Sequence, residues 1–219
     1  MNFIKKPAFY KTKFRPLNGR YGEYDLISGQ KLVRVIETEE IAWKNNSFDA
    51  NDYLTIRSFG LISRLLVASG AFSDTISFLF SRGIKITEVF KIIMENYHKY
   101  AGLNKLFGDY KKYSDAELFA SQDDLIGRIT GDDACWNDLL SNQGTYFKLD
   151  HGFSGYCLFE DTNILEELKE IILRGVENKL SKEDLFDFNE VLKHDKIYRI
   201  IQDKPVGKLI KADIKKEIA

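Results

Sequence analysis

The sequence predicts a mainly α-helical fold: a multi-helix domain with an extended N-terminal β arm or hairpin and a short extended C-terminal segment. Three observations predict it. Residue alternation of period two is confined to the first forty-five positions. From Ser47 onward, apolar residues recur at helical spacing between small capping and stopping residues. After His194, a β-branched run ends in a basic tail.

"YKTKFRPL" places Tyr10, Thr12 and Phe14 on one parity and Lys11, Lys13 and Arg15 on the other, as a half-buried strand requires. Pro16 ends that strand or sets it at an edge. "NGRYGEYD" reads as the turn, because Asn18-Gly19 is the strongest short turn signal in the chain. "QKLVRVIETEEIAW" is the second strand, rich in β-branched residues.

Ser47 and Asp49 are candidate N-caps for a helix reaching Ser69. Tyr53, Ile56, Gly60, Ser63 and Val67 form one stripe of that helix, widened by Leu54, Leu61, Leu65 and Ala68. Gly70 stops it. "AFSDTISFLFSRG" gives a shorter helix with Phe72, Ile76, Leu79 and Phe80 inward and Gly83 as its stop. "KITEVFKIIMENYHKY" gives a third, capped by Thr87. Ser114 with Glu117 reads as a capping box opening the next helix, which Gly131 ends. "DDACWNDLLS" is a short helix, and "GTYFKLDHGFSGYCLFED" reads as a short hairpin or an extended loop. "TNILEELKEIILRGVENKL" is the clearest amphipathic helix of the second half, and Ser181 with Asp184 caps the last. "KIYRIIQDKPVGKLIKADIKKEI" returns to extended character. The expected division is an extended β arm over 1–46, a helical domain over 47–195 and an extended, basic tail over 196–219.

The composition is that of an ordinary globular chain: 219 residues, 44% hydrophobic and 30% charged, with a net charge of −1. That balance carries no global electrostatic argument for nucleic acid or an anionic membrane. "KKPAFYKTKFRPLNGRYG" interleaves basic and aromatic residues, as single-strand binders do. A half-buried strand produces the same alternation, and no nucleic-acid partner is expected. No apolar run of about eighteen residues exists to span a membrane. Lys5, Lys6 and Pro7 stand where a signal peptide needs its apolar core, so a cytoplasmic location is expected. Cys135 and Cys157 match no zinc spacing and read as free thiols.

No catalytic, cofactor or metal residue is assigned from the motifs. "HGFSGY" departs from a nucleophile elbow because Tyr156 replaces its last glycine, so Ser154 reads as a loop serine. Asp132, Asp133, Asp138, Asp150 and His151 gather metal-type atoms without a ligand motif. His98 and His194 sit late in helical segments, with nothing nearby in sequence to make either a base. No phosphate-binding glycine loop is present.

The order "KTKFRPLNGRYGEYD…VIETEEIAWKNNSFDANDYLTIRSFGLISRLLVASGAF" resembles the region that follows the catalytic barrel in cobalamin-binding radical SAM proteins. The matching parts are the basic-aromatic strand and glycine turn (11–25), the "VIETEEI" strand (35–41), the "SFDANDY" helix start (47–53), the apolar helix (54–69) and the "RGI" turn (82–84). They cover roughly the first half of the chain. The family's CxxxCxxC motif, which holds a [4Fe–4S] cluster for S-adenosylmethionine, is absent, as is a glycine-rich cobalamin half. The resemblance therefore implies no catalytic residue and no cofactor in this chain. It implies a helical cap region, as a fragment, split subunit or separately numbered domain, whose partner is a radical SAM core or a second copy of itself. Apolar arm residues, among them Phe14, Leu17, Val33, Val35 and Trp43, are expected to be partly exposed in the isolated chain. Arg15, Arg20, Tyr21 and Arg57 are the candidate substrate- or core-facing residues. Two rival readings are a free-standing helical interaction domain and an enzyme built on the acidic loop and His151. The latter requires Asp132, Asp133 and His151 to converge with Arg20 or Arg57.

Overall fold

The computed structural model describes residues 10–25, 32–140 and 149–203, without the side chains of 18 and 196–203. The chain is mainly α, with one antiparallel hairpin at its N-terminal end. Strand β1 (Lys11–Asp25) pairs with β2 (Leu32–Lys44) along nearly their whole length. Helices α1 (Ala50–Ser63), α2 (Ser73–Ser81), α3 (Ile86–Asn96), α4 (Ala101–Ala116), α5 (Gln122–Gly131), α6 (Asp133–Leu140), α7 (Leu149–Gly155), α8 (Asn163–Val176) and α9 (Lys182–Asp203) follow. Wider π-helical turns continue α1 over Arg64–Ala68 and α7 over Tyr156–Glu160.

The expected turn at Asn18-Gly19 is a bulge instead. Pro16 pairs with Thr38 and Tyr21 with Ile36, so residues 17–20 on β1 face Glu37 alone on β2. Gly19 takes the positive φ of 77° that the bulge needs. Pro16 sits inside the strand at this irregularity, where a missing N–H costs least. The reversal between the strands falls at 26–31, outside the described residues.

The described residues form two compact units, divided after 58, 107 and 153. The division expected at residue 46 follows a change of secondary structure; this one follows packing. In the first unit, the hairpin is covered by helices from later in the chain. Ile36 joins Leu125, Ile129, Cys135, Trp136 and Leu139 in a core against which Phe14 and Tyr21 also pack. Trp43 lies on the other parity of β2 and packs on Tyr53 of α1, with Lys13 Nζ 3.9 Å above its ring. The second unit is built on α8, whose Ile164, Leu165, Leu168, Ile171, Ile172 and Val176 are buried as its amphipathic pattern requires.

Asp49 and Ser181 cap α1 and α9 as expected. Asp49 Oδ1 accepts from the backbone N–H of Asn51 and Asp52, and Ser181 Oγ accepts from that of Asp184. Ser47 turns back to Asn45 instead. Gly70 and Gly83 end their helices with φ of 75° and 78°.

Other expectations are corrected. Ser114 opens no helix: it lies buried in the last turn of α4, and the true cap of α5 is Ser121, whose Oγ accepts from Asp124 N–H. Thr87 lies within the first turn of α3, where the Glu88 carboxylate accepts from Lys85 N–H. Tyr53, Leu61 and Leu65 of the first helix are buried as expected, together with Ser58, Ile62 and Leu66, whereas its Ile56 and Val67, and Phe80 of α2, are exposed. Residues 149–160 are helical rather than a hairpin or loop, because Ser154 and Cys157 are buried on one side of that segment. Residues 196–203 continue α9; nothing before Pro205 breaks a helix there, and the β-branched run yields to it. The rest of the expected extended tail lies outside the described residues.

Candidate functional site

Glu117 is the centre of the most polar interior of the first unit. It follows α4, and its side chain is 5% exposed. Arg57 Nη2 of α1 lies 2.8 Å from Glu117 Oε1. Arg15 Nη1 of β1 lies 3.8 Å from the same oxygen, and Arg15 Nε donates to Glu39 Oε1 on the paired strand at 2.5 Å. Arg57 also reaches Asp150 of α7 at 3.6 Å, and the Tyr110 hydroxyl of α4 donates to that carboxylate. Glu117 Oε1, Arg57 Nε and the Tyr53 hydroxyl are buried without an aligned hydrogen bond. The Arg57–Glu117 contact is therefore a close ion pair held by proximity.

Burial dominates the electrostatics. It pushes the Glu117 carboxyl up to about 7, and Arg57 and then Arg15 counter it only in part. Burial works against the Arg57 guanidinium, but Glu117, Tyr110 and Asp150 more than offset it and hold it above the ordinary arginine value. Burial, aided by Asp150, keeps the Tyr110 phenol protonated, and burial raises Tyr53 as well. The array holds five charged side chains from two strands, two helices and a connection, with little water around its central carboxylate. Through these contacts one buried carboxylate connects elements that are far apart in sequence.

Of the four candidate residues, the structure brings two together. Arg15 and Arg57 meet across Glu117. Arg20 is exposed at the bulge, and Tyr21 packs against the Trp136 core. In the sequence Glu117 reads as a capping-box residue; its pairing with residues 60 and 102 positions away has no local signal. Asp132 and Asp133 take partners other than Arg20 or Arg57. Asp132 Oδ1 accepts from Ala134 and Cys135 N–H, which holds its carboxyl below the usual range. Asp133 pairs with Arg34 at 2.6 Å, and Asp150 belongs to the Arg57 array. Among the described residues, no group of three or more His, Cys, Asp or Glu is placed to hold a metal ion. Ser154 is no loop serine: it accepts from Arg64 Nε at 3.0 Å.

The hairpin is anchored unevenly. Its base is held by the Arg15 contacts, by Lys13–Asp115 and by a two-way backbone bridge between Phe14 and Phe119. Near the reversal, Arg34, paired with Glu23, anchors the Ile36 face by donating to Thr130 O and lying over the Trp136 ring. Towards the reversal, Tyr24 pairs with Val33 and Gly22 with Val35, on the face opposite Ile36. There Tyr24 is 53% and Val35 41% exposed, and Leu32 at the strand's start is 63% exposed. Of the arm residues expected to be partly exposed, Phe14, Leu17, Val33 and Trp43 are half-buried. Among the described residues, no backbone hydrogen bond joins the outer edge of β2 to another element. No protein-family model, no curated protein and no solved structure matches the chain.

Proposed function

We propose that the chain is a non-catalytic accessory module that docks on the catalytic core of a cobalamin-binding radical SAM enzyme through the outer half of its hairpin. The observation that carries this reading is the exposed Tyr24 and Val35, with the half-buried Val33 on the same face, beside the unpaired edge of β2. A flat, open strand edge with apolar neighbours is unfavourable in water and is ordinarily covered by a partner. The resemblance of residues 11–25, 35–41 and 47–69 to the segment that follows the barrel in that family names the partner class. The iron–sulfur cluster, S-adenosylmethionine and cobalamin then belong to the core, and this chain's part is to position or cover it.

Copurification of the full chain with a CxxxCxxC-bearing core from the same genome tests the reading. A stoichiometric complex is expected, weakened about tenfold or more by Tyr24→Ser with Val35→Ser, with no change in the chain's urea midpoint. Absence of a complex, or a complex indifferent to both substitutions, overturns it. A concentration-dependent dimer that the same substitutions abolish, seen by sedimentation without any core, selects the free-standing interaction domain instead.

A further inference from the structure

Helices α3 and α8 of the second unit approach so closely at Gly175 that a Cβ there would stand 2.3 Å from Ile92 Cγ2. Beside this contact lies a cleft of about 440 Å³, within the size range of small-molecule sites. Ile171, 2% exposed, and the half-buried Ile92 give it an apolar floor. Its polar groups are cationic or neutral donors. Asn96 is fixed by donating from Nδ2 to Ile92 O at 2.7 Å, and its Oδ1 accepts from Lys99 Nζ at 2.7 Å. Lys99 is thus held at the cleft by a neutral amide, and among the described residues no carboxylate pairs with it. Arg174, also in the lining, is already neutralised by Glu170 at 2.5 Å. Tyr100 completes the wall; burial, then Glu170 and Glu167 against Arg174, raises its phenol, so the hydroxyl is a donor at neutral pH, while Glu170 is engaged by Arg174 and Glu167 by the Gly102 and Leu103 N–H groups. The cleft offers an apolar floor, a lysine ammonium held only by a neutral amide and one hydroxyl donor, with the Glu170 and Glu167 carboxylates within electrostatic reach of the Tyr100 wall.

We propose that this cleft binds a small carboxylate carried on an apolar body, with Lys99 and Tyr100 holding the carboxylate and Ile92 and Ile171 the hydrocarbon. A free organic acid and the C-terminal carboxylate of a peptide share this chemistry. The proposal is independent of the hairpin and of any radical SAM partner.

Titration of the isotope-labelled full chain by NMR tests it, with phenylacetate, phenylacetamide and N-acetyl-alanyl-phenylalanine as probes. Phenylacetate is expected to shift the methyl signals of Ile92 and Ile171 and the amide signals around Lys99. Phenylacetamide is expected to bind at least about fivefold more weakly, because it lacks the charge. Lys99→Met, which keeps the apolar stem of an exposed side chain, is expected to weaken phenylacetate by a similar factor and to leave the amide's binding unchanged. Tighter binding of the acetylated dipeptide than of phenylacetate assigns the site to a chain terminus, and the reverse assigns it to a free acid. No shifts at about 10 mM, equal binding of acid and amide, or indifference to Lys99→Met overturns the proposal.

Discussion

At the scale of single residues, Glu117 decides more than any other side chain. Its folded pKa, about 7, lies above that of an unfolded glutamate. Folding therefore takes up a proton between the two values. The stability this gives is fully present below the unfolded pKa and is lost as pH rises through about 7. The loss is on the order of 3 kcal/mol, because ionised Glu117 is poorly hydrated where it sits. Urea midpoints of the wild type should fall between pH 5 and pH 8 by that component, and Glu117→Gln should flatten the fall by mimicking the protonated carboxyl. Equal slopes for the two proteins would show that Glu117 titrates as an exposed glutamate. Asp195 is the counterpart in the second unit. Its buried carboxylate accepts from the N–H groups of Asp74 and Thr75 at 3.1 and 2.8 Å, at the start of α2. Asp195→Ala strands two amide donors and should cost about 2–4 kcal/mol in unfolding free energy; a change below about 0.5 kcal/mol would mean that water reaches those donors.

At the scale of elements, what the sequence revealed is what local chemistry determines. Asp49 and Ser181 cap helices because a side-chain oxygen needs only the next turn to find its donors. Gly70 and Gly83 stop helices because the positive φ they adopt is local as well. Ser114 shows the limit. Ser-x-x-Glu occurs inside helices as well as at their starts, and here α4 runs through Ser114 while Glu117 turns to arginines distant in sequence. Asn18-Gly19 misleads for a related reason. The dipeptide specifies a left-handed residue, and a bulge uses one as readily as a turn; only the register with β2 separates them. The site was legible to the same extent: Arg15 and Arg57 were readable as candidates, while the carboxylate joining them was not. The bulge itself is testable. Gly19 has open space around its missing Cβ, so Gly19→Ala should cost only the conformational penalty, about 1–2 kcal/mol. Gly175 is the opposite case: a methyl there meets Ile92, so Gly175→Ala should destabilise by about 1–3 kcal/mol, and Ile92→Ala in the same chain should recover part of that loss. Additive effects of the two substitutions in thermal unfolding would mean that α3 and α8 do not press together at this point.

At the scale of the whole molecule, the two free cysteines report on how the chain holds together. Cys135 is buried in the first unit and Cys157 in the second. Burial raises both thiols, Cys157 to about 12, so neither offers much thiolate at pH 8 while folded. Each becomes reactive when its own unit opens. The chain passes between the units at 58, 107 and 153, each time within a helix: α1, α4 and α7. Helices propagate cooperatively, and a helix that loses its packing in one unit frays into the other. The two units should therefore open together. Thiol labelling across a urea series should give Cys135 and Cys157 the same midpoint, coincident with the loss of helical circular dichroism. Pulsed labelling followed by peptide mass analysis distinguishes the two sites directly. A Cys135 midpoint well below that of Cys157 would show instead that the hairpin-bearing unit opens alone, as a local unfolding unit with its own stability. In that event the outer face of the hairpin would be presented to a partner by an element that can also release it.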